Sequence, residues 1–470
     1  MKVKSPLEVY RYLPATNCTK CGQPTCMAFA SQMIARERPL EDCTPILEAK
    51  YKAKYEELKR LLAPEIKQIT IGVGETAKKI GGEDVLYRHV LTFFNPPPLA
   101  YDVWDTMDEK ALEERVKKII SFQKFYVGEF LKPDMIAVRS TSNNPEKFAA
   151  CVKKVMGMTN LPLILMSLNP AVLEAGLKLA GDKRPLVYAA NKDNWRKVAE
   201  LAKKYRVPVT VSAPGDLDML ASLAKTLLGL NIEDIVLDPG TYCHGKQLKQ
   251  TFENFIKLRR VGIVEGQRDI AFPIMCIPMT AWLTEKNPLE GAYRETEIAN
   301  IFTVKYADLH VLHSLEPYSI IPILYLRRNI YTDPRTPVQV TPGLKETGTP
   351  TRKSPVFVTT NFALTFYTVE SDISSNKIDS YIVVVDTGGL GVEPSVAGGQ
   401  LTASKIKEAV EFAKVKEKID HNTLVIPGLA ARLKGDLEDA TGMTILVGPT
   451  DSGRIPSWME THWKKIMGGT

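Results

Sequence analysis

Short apolar runs alternate with amphipathic helical patterns through the middle of the chain. The runs occupy residues 135–138, 161–166, 186–188, 207–211, 235–237, 274–277 and 309–312, and an eighth is expected within residues 90–103. Eight strands separated by helices within roughly 250 residues are typical of a closed parallel (β/α)8 barrel of the TIM type. An open doubly wound sheet is the alternative, because periodicity does not decide whether a sheet closes.

The patterns on either side of this region are different. Before it, helices are predicted at residues 6–13, 27–38 and 46–62. The Pro- and Thr-rich residues 332–355 predict an irregular linker. Beyond the linker, a small Rossmann-like α/β domain is predicted from strands at residues 356–359, 363–369, 381–385, 424–426 and 445–447 and a helix at residues 404–415. The predicted domains are therefore residues 1–62, 63–331 and 332–470.

The composition narrows the class of protein. A chain of 470 residues with 44% hydrophobic and 24% charged residues is neither disordered, collagen-like nor a coiled coil. Its net charge of +7 is too small for its length to indicate a nucleic-acid partner. No apolar run approaches the roughly 20 residues that span a bilayer, and the first residues lack the core of a secretory signal. We therefore expect a cytoplasmic protein without a membrane span.

Four of the seven cysteines lie in the first tenth of the chain: Cys18, Cys21, Cys26 and Cys43. Their spacing, C-x2-C-x4-C-x16-C, allows the thiolates to converge on a metal centre. Structural zinc usually takes two C-x2-C-like pairs, whereas a helix separates the second pair here. A cubane iron–sulfur cluster tolerates the uneven spacing, because each iron takes one thiolate at its own corner. The residues favour such a cluster and leave zinc as the alternative. The other three cysteines, which lack partners, are predicted to be buried apolar residues.

Ligands of parallel sheets bind beyond the carboxyl ends of the strands. In the C-terminal domain these ends are predicted at residues 370–372, 386–389, 427–429 and 448–450, which form a glycine-rich rim. The ends of the barrel strands offer a second polar set, consisting of Arg139, Ser140, Asn169, Asn191, Asp238 and His313. Asn and Asp side chains could hold a ligand, but they are also ordinary helix-cap and turn residues. The residues themselves therefore favour a scaffold role for the barrel.

Residues 13–30, LPATNCTKCGQPTCMAFA, followed by Cys43, resemble the start of the large (gamma) subunit of the corrinoid iron–sulfur protein. This protein is part of the acetyl-CoA decarbonylase/synthase (CO dehydrogenase/acetyl-CoA synthase) complex. The resemblance extends over essentially the whole chain. It implies that the four cysteines hold a 4Fe-4S cluster and that the C-terminal domain binds a cobalamin-type corrinoid.

The resemblance also implies a function. Members of the family accept a methyl group from a methyl-tetrahydropterin onto Co(I) and pass it to acetyl-CoA synthase, and the cluster reactivates Co(II). The expected activity is that of a corrinoid-dependent methyltransferase component in anaerobic one-carbon metabolism and methanogenesis. Expected partners are the small (delta) subunit as a heterodimer, a pterin methyltransferase and the acetyl-CoA synthase/CO dehydrogenase subunits. The alternative is an electron-transfer or docking subunit that has the iron–sulfur cluster but no corrinoid.

Co(I) chemistry is favoured when the protein supplies no axial nitrogen, and the sequence agrees with this requirement. The histidine-supplying motif D-x-H-x-x-G is absent, because His313 stands where the glycine should follow His310, and His421 directly follows Asp420. The family's corrinoid contacts map onto Thr341 and Thr347 in the linker, onto Ser371, Asp372, Ile373 and Ser374 after a predicted strand, and onto the turn Gly428, Leu429 and Ala430. Without the resemblance, these are ordinary turn and loop residues.

Overall fold

The computed structural model describes residues 5–334 and 336–463. Two compact units are present. The first comprises Met1–Lys124 and Leu131–Thr332, and the second comprises Phe125–Phe130 and Asp333–Thr470. Among the described residues, no helix combines the length and apolar character needed to cross a membrane.

The N-terminal part of the first unit is a small helical domain. Its helices are α1 (Pro6–Tyr10), α2 (Cys26–Ile34) and α3 (Lys52–Leu62), with 3-10 turns between α2 and α3 at Leu40–Asp42, Thr44–Leu47 and Ala49–Tyr51. Helix α2 is shorter than predicted because Arg36 adopts a left-handed backbone with φ of 59°. Helix α3 begins later than predicted because Glu48 is extended, with ψ of 145°. A common apolar core includes Val9, Phe29 and Leu58.

The strands of the barrel and of two short hairpins follow in chain order. They are β1 (Ile69–Ile71), β2 (Lys78–Ile80), β3 (Leu99–Trp104), β4 (Lys124–Tyr126), β5 (Glu129–Leu131), β6 (Met135–Arg139), β7 (Leu163–Met166), β8 (Leu186–Ala190), β9 (Val209–Ser212), β10 (Ile235–Asp238), β11 (Met275–Cys276) and β12 (Leu309–Leu312). The helices between them are α4 (Glu109–Ser121), α5 (Pro145–Met158), α6 (Pro170–Ala180), α7 (Trp195–Tyr205), α8 (Leu217–Gly229), α9 (Gly245–Ile263), α10 (Pro288–Val304) and α11 (Pro317–Ile330).

Eight parallel strands form one nearly closed barrel. Their order is β10-β9-β8-β7-β6-β3-β12-β11. A bridge between Leu237 and Ile274 brings the two end strands together, and the Leu237 amide donates to the Pro273 carbonyl at 2.8 Å. The predicted barrel is therefore confirmed, with β3 as the eighth strand. Strand β11 is short because Pro273 and Pro278 flank it and cannot donate to a ladder.

The barrel interior is a packed core rather than a pore. Inward-facing residues such as Ala137, Ile164 and Val236 belong to one buried cluster. The antiparallel hairpin β1–β2 contributes Ile69 and Ile80 to the same cluster. Layers of apolar side chains are the usual filling of such barrels. The polar residues at the carboxyl ends of the strands therefore lie above a solid apolar floor.

The second unit is a five-stranded α/β domain. Its strands are β13 (Gly343–Thr347), β14 (Val356–Thr360), β15 (Ser380–Val385), β16 (Thr423–Ile426) and β17 (Thr444–Val447). Its helices are α12 (Ala363–Ser375), α13 (Val392–Ala397), α14 (Ala403–Phe412), α15 (Val415–Lys418), α16 (Lys434–Thr441) and α17 (Ile455–Trp458). The strand order is β13-β15-β14-β16-β17, and among these described strands only β13 is antiparallel to its neighbour.

Two sequence predictions for this domain were wrong. Residues 363–369, predicted as a strand from their aromatic and β-branched content, begin helix α12. Phe366 and Ile373, seven residues apart, bury on one side of this helix against the sheet, so tertiary packing overrides local propensity. The linker at residues 332–355 is not wholly irregular, because it contains the edge strand β13, whose Leu344 packs against the domain core.

Candidate functional site

The cysteine loop connects α1 to α2 and folds back on the start of α2. Asn17 and Gly22 have left-handed backbones, with φ of 45° and 77°, which turn the chain sharply. The Asn17 side-chain oxygen accepts the amide of Cys26 at 2.8 Å. Cys26 is the first residue of α2, and Thr25 caps the helix by accepting the amide of Ala28. The positive end of the helix dipole therefore lies beside the Cys26 thiol.

The four thiols occupy one neighbourhood with a buried and an exposed side. Cys26 and Cys43 are 8% and 5% exposed and belong to the apolar core of the N-terminal domain, whereas Cys18 is exposed. Burial raises the pKa of the Cys43 thiol, and negative charge on Cys26, Cys21 and Cys18 raises it further. The other three cysteines are therefore close enough for their charge to raise the pKa of Cys43. Among the described residues, no three or more His, Cys, Asp or Glu side chains form a group that could hold a metal ion.

Polar groups beside two of the sulfurs act on their pKa values. The Ile46 amide opposes the rise in the pKa of the Cys43 thiol. The Lys20 amide and the Thr16 hydroxyl lower the pKa of the Cys18 thiol. Hydrogen bonds to cysteine sulfur are one way in which proteins tune iron–sulfur clusters. Four thiols, two of them beside backbone amides, are the donor chemistry of such a cluster.

A second candidate site is a cleft of about 300 Å³ in the C-terminal unit. It lies at the carboxyl ends of β14, β16 and β17, and α12 forms one wall. Strand β14 has β15 on one side and β16 on the other, so the strand order reverses between β14 and β16. Such a switch point is where open parallel sheets bind ligands. The polar side chains of the cleft are hydroxyls, namely Thr359, Thr365, Thr368, Thr450 and Ser452.

Two features of the cleft suit a ligand. The Thr359 hydroxyl oxygen is buried and has no hydrogen-bond partner among the described residues. Gly428 lies where two loops nearly touch, because a Cβ at this position would be 2.7 Å from the Thr450 nitrogen and 2.8 Å from the Gly448 oxygen. The buried hydroxyl and the exposed backbone of the loops fit the amide and phosphate groups of a corrinoid.

The structure brings together only some of the predicted corrinoid contacts. Leu429 lines the cleft and Gly428 shapes it. Ala430 is fully buried in the domain core. Thr341 precedes β13. Thr347 ends β13 opposite Ser380, at the amino end of β15, so it lies at the opposite end of the strands from the cleft.

Residues 371–374 do not follow a strand, as the sequence suggested, but form the last turns of helix α12. Ser371 and Ser374 are exposed, and Ile373 is fully buried against the sheet. Asp372 accepts a hydrogen bond from the Ser452 hydroxyl at 2.5 Å, which ties α12 to the loop after β17. Of these four residues, Asp372 is therefore the one bonded to a residue that lines the cleft.

Sequence reasoning missed Asn361, which organises the same edge of the sheet. It is 1% exposed and follows β14 directly. Its side-chain nitrogen donates to Asp386, and its side-chain oxygen accepts the amides of Thr387 and Gly389, each at 3.0 Å. The rim segment 386–389 is thereby held by Asn361 instead of lining the cleft. An amide residue directly after a buried strand was the available signal.

No histidine is found among the described residues that line the cleft. His421 lies near the opposite edge of the sheet, where its Nε2 is 2.9 Å from the Ser354 carbonyl. His462 stacks on Trp458.

The predicted polar set of the barrel separates into three groups. Asn169 and Asn191 make local cap and turn bonds, as the alternative interpretation has it. Asp238 is buried and accepts hydrogen bonds from Tyr188 and Ser212. The remaining residues contact aspartates of the strand β3 region: Ser140 bonds Asp105, and Arg139 and His313 both contact Asp102.

Solved structures and family models both match parts of this chain. Dihydropteroate synthase of Thermus thermophilus matches with a TM-score of 0.37 and 18% identity, over 52% of this chain and 94% of that chain. A family model described as "CO dehydrogenase/acetyl-CoA synthase delta subunit" matches residues 68–459, and one described as "Putative Fe-S cluster" matches residues 13–45.

Full-length relatives identify the family. The chain is 59% identical over 467 residues to the acetyl-CoA decarbonylase/synthase complex subunit gamma 1 of Methanosarcina thermophila, covering 98% of this chain and 99% of that relative. It is 53% identical over 468 residues to the gamma subunit of Archaeoglobus fulgidus, with the same coverage. The resemblance seen in the cysteine motif is thereby confirmed, and the chain belongs to the family of gamma subunits of the acetyl-CoA decarbonylase/synthase complex.

Proposed function

We propose that this chain is a methyl carrier. It binds a corrinoid in its C-terminal unit, accepts a methyl group from a methyl-tetrahydropterin and delivers the group to acetyl-CoA synthase. A 4Fe-4S cluster in the N-terminal domain supplies one electron whenever the cobalt has been oxidised to Co(II). In this function the chain is the corrinoid-bearing component of a methyltransferase reaction.

The cleft at the β14/β16 switch point is the observation that carries the proposal. Its volume is at the small end of ligand pockets, so it would take one arm of the cofactor. Thr359 offers that arm an unused hydroxyl, and Gly428 lets the loop backbones come close. A bound corrinoid supplies a strongly nucleophilic metal for methyl transfer. No histidine lines the described part of the cleft, so these residues would offer that metal no imidazole nitrogen.

The N-terminal residues would hold the cluster and tune it. Cys18, Cys21, Cys26 and Cys43 would provide the four thiolates, two of them set in apolar core and one in solvent. The amides beside two of the sulfurs would stabilise negative charge, which would raise the potential of the cluster, whereas the buried side would exclude water, which would lower it. The exposed side gives a reductant access to the cluster.

Partners follow from the same proposal. The relatives are named as subunits of a complex, and the proposed cofactor must meet a methyl donor, a reductant and an acceptor. We therefore assign this chain the small (delta) subunit as its heterodimer partner, with a pterin methyltransferase and acetyl-CoA synthase/CO dehydrogenase as successive contacts.

The visible spectrum of anaerobically purified protein tests the corrinoid. With corrinoid supplied during reconstitution, we expect a corrinoid band that shifts on reduction and again on addition of methyl donor and methyltransferase. Iron–sulfur absorption alone, after corrinoid has been offered, would favour the electron-transfer subunit without corrinoid.

The variant Cys21→Ala tests the division of labour between the two sites. It is expected to abolish reductive reactivation, because one cluster ligand is lost, but to leave methyl uptake intact in protein that has been reduced chemically beforehand. Cys151→Ala is the matched control, since Cys151 is a buried thiol in α5 outside the cysteine loop. Equal loss of reactivation and methyl uptake in Cys21→Ala would contradict the assignment.

A further inference from the structure

A cationic cluster surrounds one buried carboxylate at the carboxyl ends of β3, β6 and β12. Asp102 is fully buried. Its Oδ1 accepts from Arg115 at 2.6 Å and lies 2.8 Å from His313 Nδ1, and its Oδ2 accepts from Arg139 at 2.9 Å. Burial opposes ionisation of Asp102, but these three partners outweigh it and lower its pKa to about 2. Asp102 is therefore ionised at neutral pH.

The cluster carries more positive charge than Asp102 cancels. One bidentate guanidinium is enough to pair a carboxylate, yet two guanidinium groups and an imidazole contact this one. Glu295 is a further carboxylate beside the cluster, and it accepts the amides of His313 and Ser314 at 2.5 and 2.8 Å. Burial raises the pKa of Glu295 to about 7, so it is only partly ionised at neutral pH. A surplus of positive charge remains around Asp102.

A cavity of about 440 Å³ adjoins this cluster and has aromatic walls. Trp104, Trp282 and Tyr318 line it together with Arg115, Lys118 and His313. The His313 ring lies between the two indoles, with ring centroids 5.8 Å from Trp104 and 4.8 Å from Trp282. Because Nδ1 faces Asp102, Nε2 is the ring nitrogen that a ligand can reach. Side chains of Arg115 and His313 are 15% and 28% exposed, so both remain accessible.

Two acidic side chains, Glu114 and Glu316, also line this cavity. Glu316 pairs with Lys118 at 2.8 Å, and both side chains are about half exposed. Glu114 is more exposed still and lies near Lys110 on the same helix. Solvent and salt screen exposed charges much more than partly buried ones. The less exposed Arg115 therefore dominates the charge at the inner end of the cavity.

We propose that this cavity binds a small organic anion with a flat aromatic body, at a site separate from the corrinoid cleft. Arg115, Lys118 and His313 receive the anionic group, and the aromatic body packs against Trp104 and Trp282. The carboxyl ends of barrel strands are where this fold places ligand sites. The proposal does not depend on corrinoid binding, and it assigns the barrel a ligand in addition to its scaffold role.

Calorimetric titration of the full-length chain with benzoate tests the charge and shape of the ligand. Benzoate is expected to bind saturably, about tenfold more tightly than benzamide, which lacks the charge, or acetate, which lacks the ring. Equal binding of benzoate and benzamide, or no saturable benzoate binding, would overturn the proposal. If another protein of the complex protects the cavity but benzoate does not, the proposal is also overturned, and a docking role follows.

Two lysines of α4 provide matched variants. Lys118 lines the cavity, whereas Lys117 lies outside it and pairs with Glu113. Lys118→Gln is expected to weaken benzoate binding about threefold, and Lys117→Gln, with the same charge change, by much less. Equal effects would indicate diffuse attraction and refute the site.

His313 gives a direct readout, because the chain has only 6 histidines. Benzoate is expected to shift the ring proton resonances of His313, which are assigned by their loss in His313→Gln. The His310 resonances are the internal control, since that ring is fully buried. Unchanged His313 signals at saturating benzoate would refute the proposal.

Discussion

The substitution Gly428→Ala tests whether the corrinoid cleft depends on close contact between two loops. The added Cβ would lie 2.7 Å from the Thr450 nitrogen and 2.8 Å from the Gly448 oxygen, well inside the roughly 3.5 Å at which non-bonded atoms pack. These neighbours are backbone atoms, so the loops after β16 and β17 must separate. Overpacking of this kind costs about 2 kcal/mol, which corresponds to about a thirtyfold change in an equilibrium constant.

The separation should be visible in the two hydrogen bonds that join these loops. The Gly428 amide donates to Pro449 at 3.0 Å, and the Gly448 amide donates to Ile426 at 2.9 Å. Hydrogen exchange of both amides is expected to accelerate about thirtyfold in Gly428→Ala, in line with about 2 kcal/mol. Corrinoid affinity, measured by spectroscopic titration, should fall by a similar factor.

Gly435→Ala is the matched control for this prediction. Gly435 lies in α16, and a Cβ there meets no atom within 4 Å. Alanine should stabilise this helix by about 0.5–1 kcal/mol and leave corrinoid binding unchanged. If Gly428→Ala exchanges and binds like Gly435→Ala, the cleft does not depend on the close approach of the loops.

Three further predictions concern the first unit. Arg36 bonds Asp84 and the Gly82 carbonyl, so Arg36→Ala should weaken packing of the N-terminal domain on the barrel by about 2 kcal/mol, seen as faster proteolysis near residues 63–65. The exposed pair of Arg38 with Asp42 makes Arg38→Ala the control, and equal proteolysis of both would contradict the prediction. Burial lowers the pKa of His310 to about 3, whereas the unfolded chain takes up this proton near pH 6.5. The unfolded state therefore binds more protons between these values, so the free energy of unfolding should fall as pH drops from about 6.5 towards 3. In denaturant titrations, His310→Gln should reduce this dependence of the free energy of unfolding on pH. An unchanged dependence would exclude His310 as its source. Arg327→Ala leaves the buried Asp134 without its closest cation and should cost about 3–5 kcal/mol in thermal unfolding. A loss no larger than that of Arg38→Ala would refute it.

The barrel could be predicted because its strands are buried on both faces. Such strands appear as continuous apolar runs, which stand out from the amphipathic helices between them. Helix α12 could not be predicted in this way. Its aromatic and β-branched residues favour a strand locally, and only packing of Phe366 and Ile373 against the sheet makes it a helix. The site residues placed on that segment were displaced by the same error.

The candidate sites differ in how far apart their residues lie in the sequence. Three of the four cysteines lie within nine residues, Cys18 to Cys26, so spacing alone indicated a metal centre. The hydroxyls of the cleft come from strand β14, helix α12 and the loop after β17, as Thr359, Thr365 and Thr450 illustrate, and no sequence pattern links them. The rim segments 427–429 and 448–450 could be predicted, because each directly follows an apolar run typical of a strand.

The sequence by itself determined the cysteine motif, the eight strand segments and the lack of a histidine motif, since each depends on residue type and short spacing. The tertiary structure alone decided that the barrel closes, that β14 lies at a switch point, and that Arg115, Arg139 and His313 meet on Asp102. The physical reason is strand order. Hydrogen bonding between β3, β6 and β12 brings side chains from distant parts of the chain within bonding distance, as the sequence separation of 211 between His313 and Asp102 illustrates.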